Sequence, residues 1–472
     1  MATFTLSTLD QAAPRSYHRY AATFDCNKNK IAVTIERLKK AAKGAINEIP
    51  MLAGTVSTDN HGKLVVSATL QQVEGFSAAI AQLENLSESY ATICGNGIPP
   101  RSISGEDFTP LCDDADIESS PACAIQGNFV DGGLILVIYL HHGVADIRGV
   151  ITILRLMSEG MPLRRMDEET LGMEAKAISA ARARLSDGNG APPFLALARD
   201  IQRQQQLNRQ QGEAIEANTE GTVRSAPRPA WSNDNAAVFS FKLAVVSQTA
   251  EIINSRRSLR TSTNNFPVAE QVSRQDVLVA IIWCAFARAN WPSGNHCEGV
   301  ETAISFPVDL RSYMIPPLEA YWMGNAETIA VARRSALDLS MRYDVSTLEG
   351  TASTIRAQAK AAASDLLVRS RINLLNTDPH SGELPTTDLV IHDWTPLSEL
   401  QGQELDLGLG LGLGRPNAIR RTGRAVGRNE VILLPENETE GVWEVQMELQ
   451  PNIINAMIND ESLQPFLWHV AQ

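Results

Sequence analysis

The segment Leu134-Ile135-Leu136-Val137-Ile138-Tyr139-Leu140 is apolar throughout and follows Gly132-Gly133. An apolar run of this length next to glycine predicts a buried strand. The helix-like segment Gly149 to Met157 comes shortly after it, and between the two lies His141-His142-Gly143-Val144-Ala145-Asp146. Upstream, Ile31, Ile35, Leu38, Ala41, Ala42 and Ile46 recur at three- and four-residue steps, which predicts a helix over 29–49 that Pro50 ends. Leu64-Val65-Val66 predicts a strand.

From about Met173 to Asn235 the chain is polar and lacks a sustained apolar face. It contains Gly188-Asn189-Gly190, Gln204-Gln205-Gln206 and Pro227-Arg228-Pro229, with helical stretches only between Phe194 and Gln211. This stretch reads as a crossover between two domains. Alternation resumes at Val238-Phe239-Ser240-Phe241-Lys242-Leu243. Ser273-Arg274-Gln275-Asp276 then opens an apolar helix from Val277 to Ala289, with Ser273 as N-cap and Asp276 in the first turn. Further strands are expected at Thr302–Phe306, Asp388–His392, Val431–Leu434 and Val442–Leu449, and one long helix at Ala352–Leu374. The fold class is α/β. The 472 residues exceed one ordinary core. The expected division is an N-terminal domain over 1–175, a crossover over 176–235 and a C-terminal domain over 236–472.

Composition narrows the function. A net charge of −13 and a pI near 5.2 argue against a general nucleic-acid binder, which needs a basic surface. The six cysteines are scattered with no C-x-x-C pair, so neither a disulfide framework nor a zinc cage is expected. The N-terminus has no basic region followed by an apolar one, and no apolar run approaches the roughly 20 residues of a membrane span. A cytoplasmic monomer is the expectation.

The candidate chemistry centres on His142. A histidine pair at the mouth of a core strand is a costly placement unless the rings are hydrogen-bonded or used. Imidazole also takes and returns protons near neutral pH. A base at a strand end, with Asp146 four residues on, suggests acyl transfer to a hydroxyl or amine. His141 is the structural member of the pair, because adjacent strand residues point to opposite faces. The alternating glycines of Gly408 to Gly414 fail the G-x-G-x-x-G pattern at every register, and no H-E-x-x-H, G-x-S-x-G or G-x-x-x-x-G-K-[ST] is present. No metal, serine triad or ATP is implied. Arg420, Arg421, Arg424 and Arg428 form either a solvated face or a phosphate patch for a polyanionic co-substrate.

Several blocks, in order, give the chain a family likeness. They are Leu6-Ser7-Thr8-Leu9-Asp10-Gln11 with Pro14-Arg15 and Tyr17; Pro50-Met51-Leu52-Ala53-Gly54; His142-Gly143-Val144-Ala145-Asp146; Val308-Asp309-Leu310-Arg311 with Pro316-Pro317 and Gly324-Asn325-Ala326; and Trp394 with Asp406-Leu407-Gly408-Leu409-Gly410 and Leu413-Gly414-Arg415-Pro416. With them the chain resembles the BAHD-type acyl-CoA-dependent acyltransferases, and within these the fungal secondary-metabolite branch typified by trichothecene O-acetyltransferases. Ile147 stands where many relatives have glycine, and Leu407 and Leu409 replace the two aromatics of D-F-G-W-G.

The resemblance implies two similar chloramphenicol-acetyltransferase-like domains, each a mixed sheet with helices, and a tunnel between them with the catalytic histidine midway. It implies His142 as general base and an Asp146 turned away from it toward an arginine, for which Arg311 is the partner. It implies Trp394 as oxyanion donor, a core tryptophan being the alternative, and a structural role for Asp406. Ser273 and Arg288 flank a helix that relatives place near the CoA arm. His392 is expected to wall the pocket or act as a second base. The reading is an O-acyltransferase moving an acyl group, acetyl first, from acyl-CoA to a hydroxyl of a small secondary metabolite by direct attack in a ternary complex, with no permanently bound cofactor. Rivals are a carrier-protein thioester as donor, a site repurposed for cyclisation, and a non-catalytic binding protein.

Overall fold

The computed structural model describes all residues except 84–87, 112–118, 189–234, 265–269, 293–296, 320–321, 342–343, 378–386, 401–411 and 424–428. Its strands are β1 (Ala2–Thr5), β2 (Tyr17–Asp25), β3 (Thr55–Thr58), β4 (Leu64–Ala68), β5 (Ala79–Gln82), β6 (Ser119–Pro121), β7 (Cys123–Val130), β8 (Gly133–His141), β9 (Ala236–Lys242), β10 (Glu301–Asp309), β11 (Glu327–Ser335), β12 (Leu389–Asp393), β13 (Ala418–Arg421), β14 (Glu430–Asn437), β15 (Val442–Glu448) and β16 (Leu467–Ala471). They form three sheets in a mixed α/β fold.

A five-stranded sheet runs β13-β2-β8-β7-β5, with β8 at its centre and antiparallel to β2 and β7. All nine residues of β8 are buried, which is why its sequence is an unbroken apolar run rather than an alternating one. The helices Ile31–Glu48 and Ile147–Glu159 supply one covering layer. Leu38, Ile46, Val150, Ile151 and Leu154 share a core with Leu136, Ile138 and Leu140. A seven-stranded sheet runs β11-β10-β12-β14-β15-β9-β16, parallel at β10-β12-β14 and antiparallel elsewhere. Its buried helix, Arg274–Asn290, starts with a capping box in which Ser273 and Asp276 exchange side-chain and backbone bonds. Every residue from Asp276 to Ala287 is buried, so this helix is apolar on all faces. A four-stranded sheet, β1-β4-β3-β6, completes the first half.

Three features differ from the sequence reading. The single helix expected over 352–374 is two, Val345–Ala362 and Asp365–Thr377. Ser364 breaks it by acting as a cap, its hydroxyl accepting the Leu367 N–H at 3.2 Å. The polar stretch from Met173 begins inside a helix, Glu168–Ala183, that buries Leu171, Ala175 and Arg182. β13 leaves the C-terminal half to pair with β2 at the edge of the five-stranded sheet, so the boundary expected at 236 is not a clean cut. Among the described residues no helix is long and apolar enough to cross a membrane.

The Ile147–Glu159 helix lies hard against β8. A Cβ at Gly149 would sit 2.5 Å from the Ala145 Cβ and 2.8 Å from the Leu140 Cδ2. Gly149→Ala is therefore expected to destabilise the protein although alanine is the better helix former. The overpacking, about 1–3 kcal/mol, exceeds the propensity gain of about 1 kcal/mol. A melting temperature equal to or above wild type in a thermal scan would contradict this packing.

Candidate active site

β8 ends in a tight turn that aims His142 away from the sheet. His141 closes the strand opposite Tyr17, fully buried, its Nδ1 accepting the Gly143 N–H at 3.0 Å. The His142 N–H donates to the Ser16 carbonyl at 2.8 Å, and the Val144 N–H to the His141 carbonyl at 2.8 Å. The turn leads directly into the Ile147–Glu159 helix, whose N-cap is Asp146; its side chain accepts the Arg148 N–H at 3.1 Å.

Asp146 faces Arg311 rather than His142. Arg311 Nη2 lies 3.0 Å from Asp146 Oδ1 and Nη1 3.0 Å from Oδ2, and the Ala326 N–H reaches Oδ2 at 2.9 Å. The carboxylate is fully buried and Arg311 is 3 % exposed. Arg311 also donates to the Trp322 and Gly324 carbonyls at 3.2 and 3.3 Å. One buried pair thus holds the histidine turn, a helix N-terminus and the chain before β11 together.

That grip sets Asn325 against His142. The Asn325 amide nitrogen donates to the His142 carbonyl at 2.7 Å and to Asp10 Oδ1 at 2.9 Å, so its oxygen is the atom left facing His142 Nδ1, at 3.1 Å. An acceptor at Nδ1 requires the proton there and leaves the lone pair on Nε2. Asp10 is itself buried; it takes the Asn325 N–H at 2.8 Å and pairs with Arg182 at 2.6 Å.

His142 borders a chamber of about 100 Å³ walled by both halves of the chain, including Leu9, His18, Phe306, Asn325, Glu327, Arg371, His392 and Trp394. The His18 and His142 rings lie 4.0 Å apart. Burial pulls the His142 imidazole below its ordinary value, against the upward pull of Asp146 and Asn325. Burial and the neighbouring His142 hold His18 well below the usual range, and burial lowers His141 to about 4. Burial, reinforced by Asp146, pushes the Glu327 carboxyl well above its usual range. The three imidazoles are therefore neutral at neutral pH, and the ionised form of Glu327 is disfavoured. Trp394 is 3 % exposed and 6.2 Å from the Tyr20 ring, and its indole N–H makes no hydrogen bond among the described residues. His392 lines the chamber with Nε2 3.3 Å from Glu430 Oε2. Among the described residues no cluster could hold a metal ion.

Beside the chamber a cleft of about 1060 Å³ is bordered by Arg148, Ser273, Arg274, Thr395 and Arg415, with Glu399, Glu436, Glu438, Glu440 and Glu444 also on its walls. Ser273 lies there, at a helix N-terminus. Three residues expected at a CoA site do not. Arg288 sits at the other end of the same helix, roughly 22 Å along its axis, locked to Asp460 at 2.9 and 2.5 Å. Arg420 is 1 % exposed and paired with Glu444 at 2.7 Å, with further bonds to the Gly97 and Ile98 carbonyls. Arg421 is buried between Glu430 and Glu448. The reason is β13: once 418–421 pairs with β2, both guanidinium groups point into protein, where only carboxylates and carbonyls can compensate them. Arg424, Arg428 and Asp406 lie outside the described residues.

In the sequence Asp10 and Asn325 stand out only as parts of the likeness blocks, and Arg182, His18, Glu327 and Arg371 do not stand out at all. The Ser7/Asp10 capping box was a usable local signal. The others carry none, because their partners are remote in the chain.

A model of the Transferase family matches residues 1–463. The chain is 22% identical to the protein named enoyl-CoA isomerase/hydratase claC of Penicillium crustosum over 98% of its own length, and it spans about half, 50%, of that relative. It is 22% identical to O-acetyltransferase ptmV of Penicillium ochrochloron, over 97% of this chain and 95% of that one. Among solved structures it is similar to TRI101 of F. graminearum complexed with coenzyme A and deoxynivalenol, with a TM-score of 0.72 and 16% identity over 100% of both chains.

Asp146→Ala is expected to lose about 3–5 kcal/mol of stability by stranding Arg311. Urea denaturation reads this, and an unchanged midpoint would refute it. Asn325→Ala is expected to lower kcat by about 10² and to move the acidic limb of the pH–rate profile downward. Its oxygen favours the protonated imidazole, so removing it lowers the His142 pKa further. A limb that stays in place contradicts the Nδ1 anchor.

Proposed function

Because the chain belongs to the Transferase family and is an acyltransferase of BAHD type, we propose that it transfers an acyl group, acetyl first, from acyl-CoA to a hydroxyl of a small secondary metabolite, with His142 as general base. The observation that carries this reading is the pairing of Asn325 Oδ1 with His142 Nδ1 at 3.1 Å, in a chamber that also exposes the Trp394 indole.

The chemistry follows from these groups. His142 Nε2 takes the acceptor's hydroxyl proton as its oxygen attacks the thioester carbonyl carbon. The carbonyl oxygen gains negative charge, and the Trp394 Nε1–H, which has no acceptor among the described residues, donates to it. The intermediate collapses with cleavage of the C–S bond, and the imidazolium returns its proton to the departing CoA thiolate. The neighbouring His18 ring, held well below its usual range, is neutral at neutral pH and does not compete with His142 for a charge. Direct attack is favoured over an acyl-enzyme, because among the described residues the one serine on the chamber wall, Ser305, is bonded to Thr387 at 2.9 Å and makes no hydrogen bond to a histidine.

The large cleft is the reading's site for CoA. Arg274 and Arg415 supply cationic donors, and the Arg274–Asn290 helix presents its N-terminus beside Ser273. In support, TRI101 binds coenzyme A in its crystal structure, and one relative is named an O-acetyltransferase. A hydroxyl acceptor is supported by the same likeness, since one relative is named an O-acetyltransferase.

With purified protein, acetyl-CoA and a mixed panel of hydroxylated metabolites, mass spectrometry is expected to find product mass raised by one acetyl group. His142→Ala should abolish it, and Trp394→Phe should lower kcat by about 10²–10³ with little change in KM. Full activity in folded His142→Ala protein would remove the base assignment. Equal kcat in Trp394→Phe would return that tryptophan to a packing role.

A further inference from the structure

Arg371 is a guanidinium on the chamber wall without a carboxylate. It projects from the Asp365–Thr377 helix, borders the chamber with His142, and donates from Nη1 to the Thr328 hydroxyl at 2.8 Å. Among the described residues no acid lies within ion-pair range of it. Arg148, Arg182, Arg311, Arg369, Arg420 and Arg421 all pair with acids. Burial lowers the Arg371 pKa, and no neighbouring charge offsets that. An arginine has five N–H donors, and Thr328 takes one.

Arg371 is half-buried, and a guanidinium partly withdrawn from water with no acid in range among the described residues marks where a ligand can bring the counter-charge. The wall carries apolar Leu9, Ala12, Phe306 and Ile329 and two acids, neither within ion-pair range of Arg371: Asp393, taken up by Gln275 at 2.9 Å and Thr395 at 2.6 Å, and Glu327, whose ionised form burial disfavours. The planar fork of one arginine matches the two oxygens of one carboxylate, whereas a dianionic phosphate needs more positive charge than this wall supplies. Arg371 borders the chamber and not the large cleft, so it faces the reacting ends of the substrates rather than the body of CoA.

We propose that Arg371 is a specificity residue that binds a carboxylate carried by the substrate entering the His142 chamber. The carboxylate belongs either to the acceptor or to a dicarboxylic acyl group, and the test separates these sources. The proposal rests on the acyltransferase reading for the identity of the chamber, but its readout is binding.

The acceptor arm compares isobutyrate with its neutral isostere isobutyramide by ligand-observed NMR titration of the full chain. Wild type is expected to prefer the acid roughly tenfold, the size of one charge-assisted hydrogen bond. Arg371→Met, and Arg371→Gln, which removes the charge and keeps a donor for Thr328, should erase the preference. The acyl arm compares malonyl-CoA with acetyl-CoA by calorimetry. A malonyl preference lost in both variants places the carboxylate on the acyl group. No acid preference in wild type in either arm, or a preference that survives both substitutions, overturns the proposal. Failure of acetyl-CoA to bind wild type would instead sink the acyltransferase reading, while the isobutyrate comparison still reads Arg371.

Discussion

The arrangement of the candidate site depends on one buried ion pair. Asp146 receives four hydrogen-bond donors: two from Arg311, the Arg148 N–H at the start of a helix, and the Ala326 N–H before β11. Two buried charges are tolerable when their geometry is good and most of their lone pairs and protons are taken up, as here, where the carboxylate takes four donors and the Arg311 Nε–H alone is left without a partner among the described residues. Satisfying Asp146 this way fixes the relative position of the histidine turn, which follows β8 in the five-stranded sheet, and the segment leading into β11 in the seven-stranded sheet. Asn325 lies in that segment. Its distance to His142 is thus set by a charge pair that touches neither residue, which explains why the aspartate of an H-x-x-x-D sequence need not touch the histidine to govern it.

A second buried pair, Asp10 with Arg182, braces the same point from the opposite side. Asp10 holds both the backbone and the side chain of Asn325. Asn325 is therefore pinned by two acids, and its one free oxygen sets the His142 tautomer. Burial keeps the adjacent His18 and His142 rings neutral at neutral pH and disfavours the ionised Glu327 carboxyl. On the proposed reading this matters for catalysis: a proton taken onto Nε2 creates the one imidazolium in the chamber, stabilised by Asn325 at Nδ1 and by the field of Asp146.

The sequence reveals what short-range physics decides. β8 is legible because burial on both faces requires an unbroken apolar run. The Arg274–Asn290 helix is legible because its capping box and apolar residues are adjacent. Trp394 and His392 both reach the chamber, but so do Val390, Ile391 and Asp393 between and before them, so the end of β12 borders it along its edge rather than by strand alternation. Long-range pairing decides the rest. A reader of Arg420 and Arg421 sees four arginines after a glycine-rich run. Nothing nearby says that β13 will pair with β2, roughly 400 residues upstream, and turn those side chains toward Glu444, Glu430 and Glu448. Asn325 contacts residues 183 and 315 positions away, so its motif is visible but its task is not. At Ser364 two helical periodicities run nearly in phase, and only a single capping hydroxyl separates them.

The distribution of cations carries the argument furthest. The protein has a net charge of −13, and its arginines near the site are almost all neutralised from within: Arg148 by Asp309 and Glu399, Arg182 by Asp10, Arg311 by Asp146, Arg421 by two glutamates. Such pairs contribute shape more than attraction, since their fields cancel at a distance. The large cleft reflects this balance, with five glutamates and three arginines on its walls. A polyanion bound there relies on short-range donors, the helix N-terminus and individual guanidinium groups, rather than on a broad positive field. Against this background an arginine with no acid beside it stands apart. Among the described residues no acid pairs with it directly, and apart from its bond to Thr328 its donors face the chamber it shares with His142.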